Sequence, residues 1–149
     1  MFIYEKSSII KCDVQDLFAF HLSPKNLKYI TPPDTKVTLE NENFEAKEGE
    51  LLRIKTVKYY LPTRWIVKIA KVQQPNLLVD IALKSPFAYW EHHHIFTNLG
   101  DGTCELRDRV KYDIPLGFIG RFFSLFVFKE LASMFTFRHK VTKAMLEKK

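Results

Sequence analysis

Several things are scarce in this chain of 149 residues, and each scarcity removes a class of protein. There are two cysteines, Cys12 and Cys104, in unlike segments and with no CxxC pair. They read as reduced, intracellular thiols rather than as a disulfide framework. The five glycines form no phosphate-cradling loop, and Gly100-Asp101-Gly102 is a turn. No Ser or Cys stands in a nucleophile motif. The first residues, Met1 to Lys6, lack the basic region and apolar run of a signal peptide. No stretch reaches the ~20 apolar residues of a membrane span; the most apolar one, Phe118 to Phe137, is interrupted by Arg121, Lys129 and Glu130. A cytoplasmic protein with no stable membrane insertion is expected.

Aromatic residues, by contrast, are abundant: 13 Phe, 6 Tyr and 2 Trp. So many rings need a large core or a cavity wall to cover them. The net charge is +6, but Lys and Arg are scattered among Asp and Glu instead of clustering on one face as a nucleic-acid footprint would, so no nucleic-acid partner is expected. The length fits a single domain, 1–149.

The hydrophobic pattern predicts one strand, two short helices, six strands and one long helix. The first strand runs from Phe2 to Lys11. Asp13 suits the N-cap of a short helix through His21, and Ser23-Pro24 predicts a second, with Ser as cap and Pro at the first helical position. Strands follow at Lys36 to Leu39, Leu51 to Tyr59, Arg64 to Val72, Leu77 to Leu83, Phe87 to Phe96 and Thr103 to Ile114. Their separators are short and carry turn residues, Leu61-Pro62 among them, so neighbouring strands are antiparallel. After Gly117 the period is helical for about thirty residues, to the end of the chain. The fold class is α+β.

The last strand has one apolar face, Cys104, Leu106, Val110, Tyr112 and Ile114, with Asp108 among them; the opposite face is wholly polar. A carboxylate on an inner face needs a partner. On the preceding strand Trp90, His92, His94 and Phe96 share a face. A turn near Gly100 pairs residues whose numbers sum to about 200, within two, which sets His92 opposite Asp108. On the long helix Leu131, Phe135, Arg138 and Thr142 form one stripe, so Arg138 is within reach of Asp108, the histidines or an acidic ligand. The His92–Asp108–Arg138 set has two readings: a structural network fixing helix to sheet, or a group that orients a ligand. His92, His94 and Asp108 also resemble a metal set, but with no further Cys or His nearby no metal and no cofactor is expected. In the Phe-rich stretch from Phe118 to Phe137, Phe122, Phe126 and the later stripe are expected to pack on the sheet. Phe123, Val127 and Phe128 spread too far around the helix for one sheet to cover; either the short N-terminal helices bury them, which is the expectation, or they line a partner or membrane surface.

Together, Leu17-Phe18-Ala19-Phe20-His21, Pro24-x-Asn26-Leu27, Ile30-Thr31-Pro32-Pro33, Arg64-Trp65, Ser85-Pro86-Phe87-x-x-Trp90-x-His92-x-His94-x-Phe96, Asp108-x-Val110-x-Tyr112-x-x-Pro115-Leu116-Gly117 and Phe135-x-Phe137-Arg138-His139 resemble the START/polyketide-cyclase (SRPBCC) superfamily, and within it a bacterial ligand-binding subgroup often labelled cell division inhibitor-like. Ser85 departs from that pattern, where Gly usually precedes Pro-Phe. The resemblance implies a helix-grip fold, a curved antiparallel sheet of about seven strands wrapped on the C-terminal helix. Members bind lipids, sterols and polyketides, and some are cyclases or hydrolases.

The expected function is therefore the binding of a hydrophobic small molecule between sheet and helix. Trp65, Trp90, Phe96 and Tyr112 supply apolar wall, and His92, His94, Asp108 and Arg138 the polar groups. An enzyme using His92 held by Asp108 is the alternative, and a partner-binding module without ligand is a third; a homodimer is left open.

Overall fold

The computed structural model describes residues 1–41 and 43–147. Strand β1 (Phe2–Ile10) leads into helix α1 (Val14–Leu22), whose N-terminus is closed by the Asp13 carboxylate accepting the Gln15 N–H at 2.7 Å. The expected second helix is a 3₁₀ turn, Pro24–Lys28, with Pro at its start; Ser23 makes no side-chain cap bond there. Strands β2 (Thr35–Leu39), β3 (Leu51–Lys58), β4 (Leu61–Gln73), β5 (Leu77–Lys84), β6 (Tyr89–Asn98) and β7 (Cys104–Asp113) follow. They form one curved antiparallel sheet in the order β1-β7-β6-β5-β4-β3-β2. The α+β helix-grip arrangement is thus present.

Two local expectations are corrected. Leu61-Pro62 does not separate strands; both residues lie in β4, where Pro62 pairs with Val57. The hairpin turns instead at Tyr59 and Tyr60, with φ of 55° and 61°. Two consecutive left-handed residues match the right-handed twist of the strands, but nothing about two tyrosines signals such a turn. The long helix is also two: α2 (Gly117–Phe122) and α3 (Ser124–Leu146), broken at Phe123. The last two residues of the expected helix, 148 and 149, lie outside the described residues.

α3 crosses the concave face of the sheet and buries a narrow stripe there: Leu131, Phe135, His139 and Thr142. The core divides into two apolar clusters. Ile10, Leu17, Phe18, Ile69, Phe96 and Leu106 fill the end beneath α1. Tyr4, Trp90, Val110, Tyr112, Leu131 and Phe135 fill the end beneath the start of α3. Both cysteines are free thiols.

Of the Phe-rich segment, Phe135 is buried on the sheet as expected, but the rings before it are not. Phe118 and Phe122 are 81% and 82% exposed, and Phe123, Phe126 and Phe128 are also exposed. Sheet contact covers only one stripe of a helix. The short helices that were to cover the rest lie at the opposite end, where Phe18 of α1 meets Phe96 edge-on near the start of β7. None of the helices is long and apolar enough to cross a membrane among the described residues.

Gly120 fixes the start of this helical region against the sheet. A Cβ there would run into the Pro115 carbonyl oxygen and sit 2.9 Å from Ile114 Cγ2. In an exposed helix, Gly→Ala stabilises by up to ~1 kcal/mol. Here Gly120→Ala should destabilise by ~1–3 kcal/mol, the usual range for overpacking, read as a lower urea midpoint.

Candidate functional site

The site is built on the inner face of β5, β6 and β7. Residues alternate faces along a strand, so Trp90, His92, His94 and Phe96 point inward beside Leu106, Asp108, Val110 and Tyr112. The register differs from the expected one by two residues: His94 lies opposite Asp108, and His92 opposite Val110. A slip of two keeps every side chain on its face. The couple also survives, because His92 Nε2 reaches diagonally to Asp108 Oδ1 at 2.7 Å. The two imidazoles stack, with ring centroids 3.7 Å apart.

Two further members are residues that the sequence pattern did not assign to the site. Asp80 on β5 lies opposite His92 and accepts from His94 Nε2 at 2.7 Å. It was legible as the lone acid in the strand Leu77–Lys84, on the inward face with Leu78 and Ala82. His139 on α3 places Nε2 2.6 Å from Asp108 Oδ2, and its Nδ1 lies 2.7 Å from the Ser8 hydroxyl of β1. The buried stripe therefore runs Leu131, Phe135, His139, Thr142. Arg138, one position off, makes no ion pair with Asp108 among the described residues. Its guanidinium lies 5.5 Å from the Phe135 ring centre, and its Nε is buried without a partner.

The electrostatics follow from burial. Burial pushes the Asp108 carboxyl up, but donors on His139 and His92 outweigh it and hold it well below the ordinary carboxylate range. Asp80 is likewise low: burial raises it, and the His94 hydrogen bond with neighbouring positive charge prevails. Burial, then the neighbouring His94, lowers His92, so it is neutral at neutral pH. Burial lowers Arg138 as well. His21 of α1, whose Nδ1 bonds the Leu17 carbonyl at 3.0 Å, is pushed down to about 4, by burial first and then by His94.

Between this cluster, α3 and the sheet lies a cavity of about 390 Å³. Ile30, Leu52, Trp65, Val67, Leu131 and Met134 contribute apolar wall. Asp80, His92, His94, Asp108 and Arg138 contribute the polar part. Of the expected wall, Trp65 and Trp90 border the cavity, with their rings edge-on at 5.2 Å. Phe96 and Tyr112 do not line it. Both are 1% exposed and belong to the two packed clusters, because cross-strand neighbours and α1 fill the space in front of them.

Two outcomes follow. Asp108→Ala leaves His92 and His139 buried without their acceptor and should cost ~3–5 kcal/mol, whereas Asp113→Ala, on the solvent face, should stay within ~0.5 kcal/mol. Adding Arg138→Met should recover none of the loss; denaturant midpoints check all three. The second concerns acid. His21 has a folded value of about 4 against an ordinary 6.5, so the unfolded chain takes up its proton first. Its contribution is full above pH ~6.5 and lost as pH falls towards ~4, by ~2–3 kcal/mol. Asp80 and Asp108, held low, act only at lower pH. The midpoint should therefore fall between pH 7 and 4.5, and fall less in His21→Leu.

The chain matches no protein-family model and no curated protein. Solved structures, in contrast, match it over nearly its whole length. A protein of Chromobacterium violaceum has a TM-score of 0.79 at 8% identity, covering 99% of this chain and 98% of its own. A START superfamily protein of Mycobacterium smegmatis has a TM-score of 0.73 at 11% identity, covering 97% of both chains. Norcoclaurine synthase of Thalictrum flavum, solved with dopamine and hydroxybenzaldehyde, has a TM-score of 0.69 at 16% identity, covering 99% of this chain and 88% of its own. At such identities the likeness carries architecture rather than activity. With its seven-stranded sheet wrapped on α3, this chain has the START-type helix-grip fold.

Proposed function

We propose that the chain binds one hydrophobic small molecule, a lipid, polyketide or similar compound, in the cavity between sheet and α3. The observation that carries this reading is the cavity itself. Its volume of about 390 Å³ lies within the ~300–1,000 Å³ usual for ligand sites, and it pairs an apolar wall with a few convergent polar groups. Trp65, Leu52 and Met134 suit an apolar body, and Arg138 suits an acidic or otherwise polar end. Arg138 Nε is buried without a hydrogen-bond partner among the described residues, a state that costs ~1–3 kcal/mol and that a ligand oxygen would relieve. A protein of the same fold, norcoclaurine synthase, is known with two small aromatic molecules bound. A cytoplasmic location fits this reading.

A second reading, catalysis by proton abstraction, draws on His92. Its Nε2 is held by Asp108 at 2.7 Å, burial keeps it neutral, and it borders the cavity. A neutral imidazole fixed in one tautomer is a base ready to act.

Native mass spectrometry of the chain purified without denaturation should show a retained small molecule. Anilinonaphthalene sulfonate, an apolar body with one acidic group, should bind saturably at one equivalent and quench Trp65 and Trp90. Arg138→Met should weaken it about tenfold or more, the loss of one charge-assisted hydrogen bond of ~1.5–3 kcal/mol. A cooperatively folding protein with neither retained molecule nor saturable binding would overturn the reading.

A further inference from the structure

The sequence pattern disfavoured a metal because it supplied only His92, His94 and Asp108. Asp80 changes the donor set. We propose that Asp80, His92 and His94 form a site for one divalent first-row transition-metal ion at the polar end of the cavity, with Asp108 behind them as proton acceptor. The inference does not depend on an apolar molecule occupying the cavity.

Three observations support it. The first is convergence: donor atoms of Asp80, His92 and His94 lie within 4.8 Å of one another. Asp80 Oδ2 is 2.7 Å from His94 Nε2 and 3.9 Å from His92 Nδ1. Metal bonds of about 2.0–2.2 Å to N and O put neighbouring donors roughly 3–3.5 Å apart, and these separations straddle that value. The two distances to Asp80 need to change by only a few tenths of an ångström, and the two ring nitrogens, within 4.8 Å of each other, close on the same ion.

The second is the tautomer of His92. Ionised Asp108 accepts from Nε2 at 2.7 Å, so the proton of the neutral ring sits there and Nδ1 carries a lone pair. That nitrogen has no hydrogen-bond partner among the described residues, and its nearest acid is Asp80. A carboxylate behind a histidine that fixes the ligating nitrogen is the usual outer shell of a metal site.

The third is His94, whose Nδ1 is buried without a hydrogen-bond partner among the described residues, 3.4 Å from Asp108 Oδ1. Its Nε2 faces Asp80, and Nδ1 meets Asp108 without hydrogen-bonding geometry. If Nε2 binds a metal, Nδ1 carries the ring's proton, and a small turn of the ring lets it donate to Asp108. The unpartnered atom is then satisfied, and Asp108 serves both ligating rings. Two imidazoles and one carboxylate suit Zn²⁺ or its first-row neighbours better than Ca²⁺ or Mg²⁺, and three protein ligands leave a position open to the cavity. Metal-bound His92 would no longer be a free base, so the site also decides against the catalytic reading of that residue.

The test uses the whole chain, stripped with EDTA, desalted, and titrated with Zn²⁺ in competition with a chromophoric chelator. One equivalent should bind. Asp108→Asn should weaken it ~10–100-fold, as outer-shell changes do, and Asp80→Asn and His92→Ala should weaken it more. His93→Ala should change nothing, because His93 points outward and bonds Glu91 at 2.6 Å. Should the buried variants fail to fold, imidazole ¹⁵N spectra of the wild-type chain decide. Zn²⁺ should shift His92 Nδ1 and His94 Nε2 and leave the His94 ring protonated at Nδ1 alone. No uptake by the stripped wild type, uptake untouched by Asp80→Asn and His92→Ala, or shifts at His93 alone would each overturn the proposal. Anilinonaphthalene sulfonate binding by the same samples reads the cavity separately.

Discussion

Asp108 lies in the middle of β7, between Leu106 and Val110 and under α3, where an ionised carboxylate is almost wholly shielded from bulk solvent. Leaving such a charge uncompensated costs several kcal/mol, so the groups around it are under obligation. One oxygen takes His92 from β6 and the other takes His139 from α3. His139 passes the connection to Ser8 on β1. A single carboxylate thereby joins the central strands, an edge strand and the long helix. Because His139 must meet it, the rotation of α3 about its own axis is specified: Leu131, Phe135 and Thr142 face the sheet, and Arg138 swings to one side.

That rotation also shapes the cavity. With Leu131 and Phe135 turned to the sheet and Arg138 to one side, α3 does not fill the space over β4 and β5. Space remains between Trp65, Leu52 and Met134 on one side and Asp80, His92 and His94 on the other. The same cluster that ties helix to sheet forms the polar end of the cavity. Among the described residues three fully buried side-chain polar atoms lack a hydrogen-bond partner, His94 Nδ1, Arg138 Nε and Thr142 Oγ1, and all three belong to residues bordering the open space. Buried polar atoms without partners are rare in native proteins, and finding three at one cavity concentrates attention there rather than on the well-packed end beneath α1.

The far end of the molecule has a different character. From Leu116 to Phe128 the chain exposes Leu116, Phe118, Ile119, Phe122, Phe123, Leu125, Phe126 and Phe128. The adjacent β3–β4 hairpin presents Tyr59, Tyr60 and Leu61, and its Lys58 bridges to Glu130 of α3. An apolar surface of this extent exceeds what scattered surface residues explain.

Much of this was legible in the sequence where the governing physics is local. Period-two alternation settles which face of a strand is inside, so Trp90, His92, His94 and Asp108 were placed together even though the register was off by two residues. Short separators settle antiparallel neighbours, and Asp13 announces the start of α1. What the sequence could not decide depends on relations between distant segments. Whether position 138 or 139 meets Asp108 is a turn of 100° about a helix axis, and only docking on the sheet chooses it. Asp80 joins the site because β5 pairs with β6 in one register, a fact about two strands rather than one. Phe118 and Phe122 look like core by composition, yet burial requires an opposing surface, and the fold places none there.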